Sequence, residues 1–108
     1  MDRERTSPLN DPTVEQFADR LRQEFGATAV YLRVPSFCND DTDYEFTVIS
    51  PLFSGPWSPY RGNPLGERWY ELGGEHPIRI LCLTPQELEQ GRARTVVELA
   101  LEGARQIA

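Results

Sequence analysis

The chain has 108 residues and a formal charge of −6 at pH 7, which fits one domain with a modest core and argues against a free-standing nucleic-acid or anionic-membrane binder, since such proteins carry a basic patch. All eleven basic residues are arginine, so chemistry that needs a protein lysine, such as a Schiff base or a P-loop, is excluded. No apolar run reaches the roughly 18 residues of a membrane span, and Met1-Asp2-Arg3-Glu4-Arg5 lacks the apolar stretch of a signal peptide.

Residues 1–10 are polar and read as a flexible N-terminal tail; residues 11–108 read as a single domain. Asp11-Pro12 has the chemistry of an N-cap followed by proline at the first helical position. Val14, Phe17, Ala18, Leu21 and Phe25 then share one stripe, and Gly26 stands where a left-handed C-cap belongs, so a helix over 12–25 is predicted. Residues 28–34 are β-branched and aromatic and predict a strand that Pro35 ends. After a polar turn, residues 44–50 alternate, with Tyr44, Phe46 and Val48 on one face and Glu45 and Thr47 on the other. The short connection implies that these two strands pair antiparallel. Four prolines in residues 51–64 forbid a regular element there. Leu65, Trp69 and Leu72 suggest a short helix over 65–72, and residues 78–83 form an apolar third strand. Thr84-Pro85-Gln86-Glu87 is a capping box for a short helix over 85–90, and a second box at Thr95–Glu98 opens a last helix over 96–107. The predicted architecture is a small α/β fold: a three- to four-stranded mixed sheet with helices packed on one face.

Two cysteines, Cys38 and Cys82, make no disulfide framework, and a reducing cytoplasm is the expected setting. Cys82 reads as a buried small hydrophobe, Cys38 as a poor nucleophile among acids, and His76 as a surface histidine. The spacing of Cys38, His76 and Cys82 matches no zinc site.

The sharpest cluster is Asp40-Asp41-Thr42-Asp43-Tyr44-Glu45, with four acids in six residues. Asp43 and Glu45 are two apart at the start of a strand and so point the same way. Such a pair could share Mg²⁺ as phosphoryl-transfer enzymes require; a solvated acidic turn is the competing and commoner reading. The loop 51–64 offers Phe53, Trp57, Tyr60 and Arg61 as a partner-binding surface, against the reading, favoured here, that Phe53 and Trp57 fold back to close the core.

The segments FGATAVYLRV and DTDYEFTVISPLF, followed by IRILCLTPQELEQ and TVVELALEGARQIA, resemble in order and spacing the minimal nucleotidyltransferase domain of the DNA polymerase β superfamily. The likeness covers residues 13–108. It implies that Asp43 and Glu45 stand at the family's D-x-D pair, as catalytic and metal-binding residues, and that Ser36 is a remnant of the Gly-Ser motif that binds nucleotide phosphates. Three departures stand out. Glutamate replaces the second aspartate, Arg79 occupies the third carboxylate's place on strand three, and no glycine precedes Ser36. The resemblance therefore implies a pseudoenzyme that binds or regulates without a cofactor, through a protein partner such as the helical companion of toxin–antitoxin pairs, or as a homodimer. The alternative is an active enzyme that uses Mg²⁺ on Asp43 and Glu45 to move a nucleoside monophosphate from a nucleoside triphosphate to a hydroxyl. Neither membrane nor nucleic acid is an expected partner. Arg79 is expected to form an ion-pair cluster with Glu45 and Asp43 across neighbouring strands.

Overall fold

A computed structural model describes residues 11–34, 44–91 and 94–108, and in the last helix the backbone alone at 95, 96 and 99. The tail 1–10 and the turn 35–43, with Ser36, Cys38 and Asp43, lie outside the described residues. In chain order the elements are α1 (Pro12–Phe25), β1 (Ala29–Arg33), β2 (Tyr44–Ile49), α2 (Asn63–Glu71), β3 (Ile78–Leu83), α3 (Pro85–Glu89), α4 (Arg94–Leu101) and β4 (Arg105–Gln106). The sheet order is β3-β2-β1-β4. β1 runs antiparallel to β2 and to β4, and β2 runs parallel to β3. This is the small mixed α/β sheet that the sequence implies.

α1 forms where the sequence places it. Asp11 Oδ1 accepts from Thr13 N–H at 2.9 Å, and Oδ2 accepts from the Tyr44 hydroxyl at 3.1 Å, so one carboxylate caps the helix and ties it to the start of β2. Gly26 closes the helix at φ 66°. A side chain there would be strained in that conformation and would also meet Leu52, whose Cδ1 lies 2.4 Å from the position of a Cβ.

The principal core lies between one sheet face and the helices α1 and α2. Phe17 and Leu21 of α1, Leu65 and Trp69 of α2, and Val30, Phe46 and Val48 of the sheet are all at most 1% exposed. Trp69 is its centre: its ring packs edge-on to Phe17 at 5.3 Å and to Tyr44 at 5.9 Å, and its indole N–H donates to His76 O at 2.9 Å. That bond satisfies the polar atom of an otherwise apolar side chain.

The last helix departs from expectation. α4 begins at Arg94 and stops at Leu101, rather than running to 107. Gly103 turns the chain at φ 74°, and the segment beyond it pairs with β1, with Ile107 N–H donating to Val30 O at 2.8 Å. Helical spacing at Gly103, Ala104 and Ile107 loses to the free edge of β1, whose backbone groups need partners. Ile107 and Ala108 thereby join the principal core. The main helical layer is on one face, as predicted. α4 adds a second, smaller cover on the other, where Val97 packs with Ile49 and Leu83.

Two glycines give opposite expectations. A Cβ at Gly74 would stand 2.2 Å from the Trp69 ring, whereas one at Gly66 within α2 meets nothing within 4 Å. In urea unfolding, Gly74→Ala is expected to destabilise by about 1–3 kcal/mol through overpacking, and Gly66→Ala to stabilise by about 0.5–1 kcal/mol through helix propensity.

Candidate functional site

Strand register assembles the site. Arg33 stands opposite Glu45 in the antiparallel pair, and Glu45 stands opposite Arg79 in the parallel one. The three side chains therefore form one row across β1, β2 and β3, on the face away from α1 and α2. Arg79 Nη1 donates to Glu45 Oε2 at 3.1 Å, and Arg33 Nε lies 3.6 Å from Oε1. Each carboxylate oxygen thus faces a guanidinium, and the Glu45 side chain is only 13% exposed. The ion pair expected between Arg79 and Glu45 is present, and Arg33 extends it; Asp43 lies outside the described residues.

This arrangement does not fit a divalent cation at Glu45. A hard cation requires carboxylate oxygens turned toward it without competing positive charge, and here two arginines occupy that role. Among the described residues, no group of three or more His, Cys, Asp or Glu side chains is placed to hold a metal ion.

Above the row lies an open cavity of about 480 Å³. Glu45, Thr47 and Leu81 contribute to its floor, Trp57 and Pro59 line it from the loop, and Ala100 lines it from α4. The indole N–H of Trp57 is the buried side-chain polar atom without a hydrogen-bond partner among the described residues. Alternation along β2 placed Glu45 and Thr47 on one face in the sequence, but nothing local indicated that Trp57 would fold against them.

The four loop residues named as a partner surface separate in the structure. Phe53 packs on the principal core and Trp57 on the smaller one, as the core-closing reading has it. Arg61 is withdrawn from the surface: its side chain is 8% exposed. It bonds Glu87 through both terminal guanidinium nitrogens, Nη1 at 2.6 Å and Nη2 at 3.0 Å, and Nη2 also reaches Gly55 O at 3.0 Å. Only Tyr60 of the four is broadly exposed, at 73%. Arg61 and Glu87 are 26 positions apart, so no sequence spacing could have announced them. Glu87 also completes the capping box, its side chain accepting from Thr84 N–H at 2.9 Å. One carboxylate therefore joins the loop to the start of α3.

Cys82 is buried at 1% exposure, and burial pushes its thiol up to about 12, which makes it an inert core residue as the sequence suggested. His76 is half-buried, with its ring 4.8 Å from that of Tyr44. No helix among the described residues is long and apolar enough to cross a membrane. Comparison of the chain with protein families, curated proteins and solved structures finds no match.

Two stability experiments follow from these ion pairs. The hydrogen bond from Arg61 holds the Glu87 carboxyl below its ordinary value of 4.5. A lowered folded value means that the stabilisation is complete above pH 4.5 and is lost as pH falls through the folded value. Glu87→Gln keeps a capping-box side chain but not the charge. It is expected to cost about 1–2 kcal/mol at pH 7 and to flatten the loss of stability below pH 4.5 in acid-unfolding curves. Glu45→Gln removes the anion between Arg33 and Arg79. A loss of about 1 kcal/mol is expected, larger in low salt than in high salt because the exposed Arg79 guanidinium is then less screened.

Proposed function

We propose that the chain is a nucleotidyltransferase-like domain that has lost nucleotidyl transfer and works in the cytoplasm as a binding or regulatory protein with a protein partner. The observation that carries this reading is the Glu45 carboxylate held between Arg79 at 3.1 Å and Arg33 at 3.6 Å. On this reading protein cations take the place that metal ions hold in the family's chemistry, and the charge of Glu45 is met within the sheet. The element order also supports the likeness: a helix, an antiparallel strand pair, a helix and a third strand parallel to the second. Arg79, in the place of the family's third carboxylate, belongs to the same row. Nucleotidyl transfer depends on metals that neutralise charge on the triphosphate and leaving group. With Glu45 committed to two guanidiniums, that step has no carboxylate pair to carry it.

Titration with ATP, GTP, CTP and UTP, each with Mg²⁺ and with Mn²⁺, tests this by thermal shift. An unchanged melting temperature throughout is the expected result. A metal-dependent rise that Asp43→Asn abolishes would establish the enzyme instead.

A further inference from the structure

Two polar groups at the cavity over Glu45 are left without partners. Thr47 follows Glu45 on the same face of β2 and stands between Tyr31 of β1 and Leu81 of β3. It lines the cavity and is only 2% exposed, and among the described residues nothing bonds its hydroxyl. The Trp57 indole N–H, on the loop wall, is likewise buried and unpartnered. Buried donors in folded proteins are paired as a rule, and an unpaired one costs free energy that a ligand can recover. The wall that carries Trp57 is fixed in place. Arg61 Nη2 donates to Gly55 O at 3.0 Å, and both terminal nitrogens bond Glu87. The segment 55–61 is thus closed on itself and tied to the start of α3, and Trp57 and Pro59 within it line the cavity. Such a site is formed before a ligand arrives. Its volume of about 480 Å³ lies within the roughly 300–1,000 Å³ of small-molecule sites.

We infer that this cavity binds an uncharged aromatic small molecule that carries a carbonyl oxygen, as an aryl amide or a lactam does. The inference rests on the reading of the chain as a metal-free binding domain and adds a small-molecule effector to the protein partner. Charge selects the class. Arg33, Arg79, Glu45 and Glu102 line the cavity, two of each sign. Both arginines already face Glu45, so neither counts as a free cation, and Glu102 is exposed to solvent. An ionic ligand would give up its hydration for no unanswered charge. An uncharged one meets apolar surface from Trp57, Pro59, Leu81 and Ala100, and an aromatic body can pack against the indole ring in a stacked or edge-on arrangement. The polar match is a carbonyl because both unpartnered groups can donate. The indole N–H does nothing else, and a hydroxyl turns its proton to suit. A carbonyl oxygen has two lone pairs and can take either donor or both.

Matched aromatic triples test this, each made of the carboxamide, the carboxylate and the methyl compound on a benzene, naphthalene or quinoline body. Binding to the full chain is read by saturation-transfer NMR and indole fluorescence. At least one carboxamide is expected to bind, and about fivefold more tightly than its carboxylate and methyl analogues, the factor that one neutral hydrogen bond supplies. Thr47→Val, which keeps the shape and removes the hydroxyl, is expected to weaken that binding about fivefold. Ala100→Phe, which adds a ring at a position lining the cavity, is expected to abolish it while circular dichroism and melting show the fold intact. Binding of no carboxamide, equal binding of all three members of a triple, or binding that neither variant reduces would each overturn the inference. None of these three outcomes produces the metal-dependent nucleotide response that would overturn the binding reading, so the two failures are distinguishable.

Discussion

Trp69 is the contact on which the rest of the packing depends. Its fully buried ring touches both α1, through Phe17, and the sheet, through Tyr44 and Phe46. The hydrogen bond from its indole to His76 O then sets the approach of the chain into β3. A domain of this size has few apolar side chains with which to close a core, and a single large ring meeting α1, β2 and the turn before β3 does so with little loss of backbone freedom. The close packing of Gly74 against that ring shows that the turn is shaped around it.

β3, positioned by this packing, supplies Arg79 to the charged row. The register that packs Ile80 and buries Cys82 on the core side places Arg79 beside Glu45 on the other. The sheet's hydrophobic alternation and its charge alternation are therefore one pattern read from two faces. Glu45 is enclosed by guanidiniums because β2 is interior to the sheet and has a neighbour on each side. An acid at the same height on an edge strand would have had one partner at most.

Much of this is legible in the sequence itself. α1, the first two strands and β3 follow from strong local signals: Asp11-Pro12 at one end and Gly26 at the other, β-branched runs, and the clean alternation of Tyr44 to Val48. The Arg79–Glu45 pairing was reached by placing the strands side by side. What the sequence did not yield was non-local. The end of α4 was read as helix because Gly103, Ala104 and Ile107 keep helical spacing, while the competing demand came from unpaired backbone on β1, some seventy residues earlier in the chain. Its residue type, common at interfaces, marks Arg61 as a surface group; its burial depends on Glu87, which only the fold brings near. The cavity over Glu45 likewise draws on the sheet, the proline-rich loop and α4, with no sequence spacing common to them.

The all-arginine composition has a reason in these contacts. Arg61 holds both oxygens of one carboxylate while reaching Gly55 O, and Arg68 bridges Glu24 on α1 to Glu71 on its own helix. A planar fork can hold several acceptors in fixed directions, which the compact ammonium of lysine cannot reproduce. Guanidiniums also stay protonated at any physiological pH, so the positive half of the surface pattern does not titrate and only the acids can change it. Within these 108 residues there is accordingly no side-chain amine. Acetyl groups and ubiquitin, which are attached to lysine, find no acceptor side chain here, and the ion pairs that hold the loops and helices together are beyond the reach of that kind of control.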